Sequence, residues 1–238
     1  MFVMPLQESE SIILKTYPLA EADRIVVFFS REFGKVRGVA NGVRRIKNSF
    51  GASLEPLARS RVTFFQKETQ ELVRIRSCEL LDSPMKLFED YDRAILAGHI
   101  ADLVDRFLPD HEAHDAVFRL FDLARRSLAA GIPLDLARCY FEIWILRLTG
   151  VLPDIFRCSF CLKVLDQLEV RLLLPGLTSV ACRFCGAGRG TQITQATITA
   201  LWQILTNSLD SDEVKAPQEG LHHLQQLNKV WIERYFER

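Results

Sequence analysis

The sequence predicts an α+β chain: a five-stranded β-barrel of the OB type at the N-terminus, then an α-helical domain with an inserted four-cysteine motif. Three observations predict it. The hydrophobic period is near two over the first 80 residues and near 3.6 afterwards, the first module breaks into five short strand-like segments, and two C-x-x-C pairs stand 20 residues apart near residue 160. A chain of 238 residues with 48% hydrophobic and 25% charged residues has material for a packed core.

The five segments are Ser11 to Thr16, Arg24 to Ser30, Lys35 to Ala40, Leu57 to Gln66 and Glu71 to Arg76, rich in β-branched and aromatic residues and separated by Gly, Asn and Ser. No helical stretch lies between them to cross over between parallel neighbours, so a small antiparallel barrel is expected over residues 1–82. In Lys35-Val36-Arg37 and Val73-Arg74-Ile75-Arg76 charge alternates with apolar residues, which gives the sheet one buried and one cationic face. Phe33, Phe50, Phe64 and Phe65 could offer stacking surfaces, though core positions suit phenylalanines of a small barrel better.

The helical domain is expected over residues 83–238. Leu87 to Phe107 repeats apolar residues at three- and four-residue spacing, with Ser83 and Pro84 as a cap and first turn. A second helix carries Val117 to Leu128. The third, Leu134 to Thr149, is apolar on most sides, as a helix inside a bundle would be. Two more are expected at about residues 195–207 and 218–236, after a compact insert at about 154–190.

Cys158-x-x-Cys161 and Cys182-x-x-Cys185 fit a tetrathiolate zinc site, because a two-residue gap lets both sulfurs of a knuckle reach two corners of one tetrahedron. The intervening Leu168 to Leu174, Pro175-Gly176 and Leu177 to Ala181 read as a hairpin that returns the second knuckle to the first. Disulfides and a redox-active C-x-x-C are the competing readings; a reducing cytosol disfavours the former, and duplication of the motif disfavours the latter. A closed four-thiolate site is structural, with no position left for water or substrate. Cys78 and Cys139 read as buried, inert thiols.

The chain is neutral as a whole, with 30 basic and 30 acidic side chains, but residues 1–80 hold 13 basic against 9 acidic ones. From Arg31 to Arg61 the ratio is eight to two. Arg44, Arg45 and Lys47 follow a cationic strand in a Gly- and Asn-bearing loop. Such a loop can track a phosphate chain, and it can equally be a solvated basic face. His111 and His114, beside Asp110 and Asp115, suit a helix start better than a metal site. No nucleophile elbow, phosphate loop, dinucleotide fingerprint or H-E-x-x-H pattern occurs, so catalysis has no visible seat. No membrane span or signal peptide is visible, which places the chain in the cytosol.

Together the stretches Ile12 to Thr16, Glu21 to Val26, Phe29 to Lys35, Ala40 to Arg45, Leu54 to Leu57 and Glu79 to Asp82, with the paired C-x-x-C, resemble the bacterial RecO family of recombination mediators. The resemblance implies an OB-fold domain and a zinc-bearing helical domain without catalytic turnover. It further implies binding of single- and double-stranded DNA, annealing of complementary strands, and loading of RecA onto strands coated by single-stranded-DNA-binding protein, together with RecR and in many bacteria RecF. Carried over by position, Arg24, Lys35, Arg37, Arg44, Arg45 and Lys47 would be phosphate contacts, and Cys158, Cys161, Cys182 and Cys185 zinc ligands. Two readings stay open beside it: an RNA-binding factor of translation or transcription that pairs an OB barrel with a zinc ribbon, and a protein-interaction adaptor.

Overall fold

The computed structural model describes residues 6–19, 21–43, 50–65, 72–166, 169–174, 176, 179–211 and 213–237. The chain forms two compact units, residues 1–131 and 132–238. The change from strand to helix falls inside the first unit, at residues 82–85.

The first unit is built on strands β1 (Gln7–Leu19), β2 (Asp23–Ser30), β3 (Gly34–Ala40), β4 (Arg59–Phe65) and β5 (Val73–Asp82), closed into a barrel in the order β1-β2-β3-β5-β4. The expected fold class holds, with one parallel pairing in the closure, β3 against β5. Inside, Ile13, Val26, Phe28, Val36, Leu54, Val62, Phe64, Val73 and Ile75 form the core. A 3₁₀ turn at Gly51–Leu54 covers β4 and β5 and sinks Leu54 among them.

β1 begins four residues earlier than the hydrophobic pattern predicts because Gln7 to Glu10 carry no apolar residue. Their one buried position is a serine: the Ser9 hydroxyl meets that of Ser30 at 2.6 Å, so a short polar pair replaces a hydrophobic one. β5 runs on to Asp82 past a register shift opposite Thr63 and Phe64, and its outward residues Glu79, Leu80 and Leu81 hide the alternation.

Helices α1 (Met85–Phe88), α2 (Tyr91–Phe107) and α3 (Asp115–Ala129) complete the unit. Asp90 caps α2 by accepting from the Arg93 N–H at 2.9 Å. Gly34 occupies a left-handed turn (φ 68°), and a Cβ there would lie 2.1 Å from the Glu112 carbonyl oxygen, so the turn into β3 and the loop before α3 both need glycine.

The second unit holds α4 (Leu134–Leu148), α5 (Gln195–Thr206) and α6 (Gln218–Phe236), which pack on one another, and the insert between α4 and α5. α4 buries Cys139, Phe141, Ile143, Ile145 and Leu146, as its all-round hydrophobicity predicts. Thr194 caps α5. Phe156 of the insert meets Trp202 of α5 edge to face at 5.7 Å, which fastens the insert to the bundle.

Candidate metal centre and nucleic-acid interface

In the insert, β6 (Arg171–Leu173) pairs antiparallel with β7 (Val180–Cys182) and, on its other edge, with β8 (Thr191–Gln192). This is the expected hairpin with a further strand. Cys182 is the last residue of β7, and the Ser159 N–H donates to the Val180 carbonyl at 2.8 Å, so the ladder itself brings the second knuckle to the first. The ligand atoms of Cys158, Cys161, Cys182 and Cys185 all lie within 4.8 Å of one another, with Cys161 and Cys182 sulfurs 4.0 Å apart.

That arrangement can bind a metal ion, and among the described residues it is the only such cluster. His111 and His114 belong to none; His114 stands at the N-terminal cap of α3. The backbone prepares the site for charge. Burial opposes ionisation of Cys158, but N–H groups of Cys161, Cys182 and Phe160 outweigh it and bring the thiol down to about 6. Hydrogen bonds with Cys182 and Cys161 push Cys185 up to about 12, so a cation bound there would displace its proton. Cys78 and Cys139 are buried, as expected, and burial pushes both thiols up.

Arg171 holds the insert together from inside. Fully buried, it donates to the carbonyls of Ile155 (2.8 Å), Glu169 (2.9 Å), Leu165 (2.9 Å) and Asp166 (2.7 Å), and burial lowers its pKa. One guanidinium thereby substitutes for a core too small to fold alone. The sequence gives no hint of this, because an arginine in a three-residue strand reads as solvated.

The barrel's cations are distributed otherwise than their number suggests. Lys15 bonds Asp102 and Asp105 at 2.8 and 2.9 Å; Arg31 bonds Asp115 at 2.7 Å; Arg59 reaches Glu10 (2.5 Å) and Asp122 (3.3 Å); Arg61 bonds Glu79 at 2.5 Å. Lys35 is 6% exposed, and its ammonium donates to the Asp105 carbonyl at 2.5 Å and pairs with the Asp110 carboxylate at 3.1 Å. Arg37 pairs with Asp110 at 3.2 Å, and Arg24 with Glu55 at 3.4 Å. Carboxylates of α2, of α3 and of the loop between them thus neutralise most of the barrel's described cations within one unit.

Burial would raise the Asp105 carboxyl, but Lys15 and Lys35 outweigh it and hold it below the usual range. Burial likewise opposes charge on Lys15, and Asp102 with Asp105 lift its pKa in spite of that.

Among the described residues of the barrel, Arg74 and Arg76 are the cations left without an ion pair. Both are exposed on β5, and the register sets Arg74 between Val39 of β3 and Phe65 of β4, an outward row of apolar, cationic and aromatic side chains. The alternation in Val73 to Arg76 was the signal for them. Phe64 and Phe50 are core residues and Phe33 packs edge to face on Phe64, so of the four phenylalanines weighed as stacking surfaces only Phe65 stands on the outer face. Arg44, Arg45 and Lys47 lie outside the described residues.

A closed OB-type barrel followed by helices that carry a tetrathiol cluster defines the class of protein. The comparisons with known proteins narrow it: the family model for the recombination protein O N-terminal domain matches residues 4–84, and that for its C-terminal domain matches residues 88–238. The chain is 44% identical over 165 residues to the DNA repair protein RecO of Koribacter versatilis, a match that spans 68% of this chain and 66% of that protein's length. It is 33% identical over 184 residues to the DNA repair protein RecO of Geobacter metallireducens, 77% of this chain and 74% of that protein. The chain belongs to the RecO family of DNA repair proteins. Among the described residues no helix is long and apolar enough to cross a membrane.

Proposed function

We propose that the chain is a recombination mediator that works by binding rather than by turnover: it holds single- and double-stranded DNA, anneals complementary strands, and helps load RecA onto strands coated by single-stranded-DNA-binding protein, with RecR and RecF as partners in the cytoplasm at the nucleoid. The observation that carries this reading is family membership over both halves of the chain, joined to a barrel face where Arg74 and Arg76 are free of carboxylates. Neutralising phosphates on such a face lets two strands approach, and each neutralised phosphate adds to the salt dependence of binding.

Residues 1–82 form the nucleic-acid-binding domain in this reading, and residues 83–238 a helical domain that carries the insert. Arg74 and Arg76 contact phosphates first, joined by Arg44, Arg45 and Lys47 from the segment after β3, with Arg24 and Arg37 as lesser contacts because each already faces a carboxylate. Lys35 stays in its buried ion pairs and is left out of the contact set. Cys158, Cys161, Cys182 and Cys185 hold one structural zinc ion; an all-sulfur set of four at this spacing suits a soft, tetrahedral metal, whose binding becomes folding energy of the insert.

The test is annealing of complementary oligonucleotides coated with single-stranded-DNA-binding protein across a salt series. Salt-sensitive annealing that is lost on combining Arg44→Glu with Arg45→Glu supports the reading; a wild type that neither binds nor anneals at low salt overturns it.

A further inference from the structure

The two metal-ligand knuckles carry side chains that the metal cluster does not use. Each has phenylalanine as the residue before its second cysteine, in Cys158-Ser159-Phe160-Cys161 and in Cys182-Arg183-Phe184-Cys185. Phe184 is 90% exposed and Phe160 55%, whereas Phe28, Phe29, Phe64, Phe121 and Phe141 are fully buried. Neither ring has an aromatic partner among the described residues. Leu162 and Val164, each 65% exposed, extend the patch from the first knuckle. Single exposed apolar residues are ordinary; two phenyl rings at equivalent positions beside one cluster, with two aliphatic neighbours, are a surface that something covers.

The charges around the rings indicate what covers it. Arg157, Arg183 and Arg189 are exposed and have no ion pair among the described residues. Lys163 is neutralised by Glu169. Residues 81–238 are acidic, 17 basic against 21 acidic, yet the insert at 154–190 reverses this with five basic against three acidic. An apolar protein groove needs no such reversal. A strand with unpaired bases needs both parts, π-faces for the bases and fixed cations for the phosphates.

We propose that the knuckle face is a second nucleic-acid site, a stacking platform for single-stranded DNA in which unpaired bases lie on Phe160 and Phe184 while Arg157, Arg183 and Arg189 contact the flanking phosphates. It rests on the DNA-binding function proposed above and adds a separate site in the other compact unit. Cysteine ligation gives the rings rigid positions, since each is one residue from a ligand whose sulfur lies within 4.8 Å of the other three. A duplex keeps its bases stacked on each other, so this platform favours single strands.

The experiment compares the full-length wild type with the variant Phe160→Ala plus Phe184→Ala on two labelled oligomers of equal length, one of oligothymidine and one of abasic sugar-phosphate, by fluorescence anisotropy. The variant binds oligothymidine about fivefold or more weakly, binds the abasic strand as the wild type does, and keeps the wild-type salt slope. A Phe184→Trp protein binds oligothymidine with wild-type affinity, and its added indole is quenched on binding. Equal affinity of variant and wild type for oligothymidine overturns the platform while leaving the barrel's function intact, and marks the face for a protein partner. An equal loss on both oligomers also overturns it, because the rings then contribute nothing specific to bases. A wild type that binds neither oligomer removes the underlying function as well.

Discussion

The barrel and the insert present positive charge in opposite ways. In the barrel, Lys15, Arg31, Lys35, Arg37 and Arg59 face carboxylates of α2, α3 and the loop between them, so most of the apparent basic excess holds the unit together. In the insert the one buried cation, Arg171, is satisfied by carbonyls alone, and Arg157, Arg183 and Arg189 stay free. Counting charges along a chain therefore overstates the barrel's capacity for a polyanion and understates that of the insert. What decides the matter is which cations lack a partner after folding.

The largest effect tests the insert. Replacing Cys158 and Cys161 by serine removes half of the thiol set, so the metal's binding energy is lost to folding; we expect loss of bound metal, measured by elemental analysis, and melting of the second unit at lower temperature while the barrel's transition stays in place. A barrel that loosens equally would mean that the two regions are not independent. Next comes Asp105→Ala, which leaves the buried Lys35 and the half-buried Lys15 without their shared carboxylate. A cost of about 3 kcal/mol in denaturant unfolding is expected, against less than about 0.5 kcal/mol for Arg74→Ala. Similar costs for both would erase the distinction between paired and free cations.

Arg171→Met tests the carbonyl clamp. It strands four carbonyl acceptors, those of Ile155 and Leu165 buried and those of Glu169 and Asp166 partly so, and should destabilise by about 2 kcal/mol, read as faster thiol labelling of the four cysteines. The pH dependence is smaller and has a definite sign. Asp105 is more acidic folded than unfolded, so its contribution is present above the unfolded carboxyl value and is lost as pH falls through the lower folded one. Acid titration of stability below about pH 4 should show this loss, and Asp105→Asn should flatten it.

Several of these features were legible in the sequence and others were not, for physical reasons. The cysteine spacing fixed the metal cluster and its hairpin because ligand geometry is local: two residues between thiols and a turn between knuckles are enough. The five strands were visible wherever apolar residues alternate, and invisible at Gln7 to Glu10, where the buried Ser9 takes the inward position, and beyond Arg76, where a register shift breaks the period. Lys35 looked like a phosphate contact because its segment is basic; its burial against Asp105 and Asp110 depends on residues 70 and 75 positions away, which no local pattern reports. Arg74 and Arg76 were readable as a cationic strand face, but that they are the cations left unpaired follows only from the pairing of the others.

The central claim is that cations left free after folding carry most of the contact with DNA, and paired ones little of it. The direct measurement is the salt dependence of single-strand binding for the wild type, for Arg74→Glu with Arg76→Glu, and for Arg61→Gln, whose guanidinium is engaged by Glu79. Loss of two phosphate contacts should flatten the plot of log affinity against log salt by about 1.4, while Arg61→Gln keeps the wild-type slope. An unchanged slope in the Arg74/Arg76 variant, or an equal flattening in Arg61→Gln, would contradict the account.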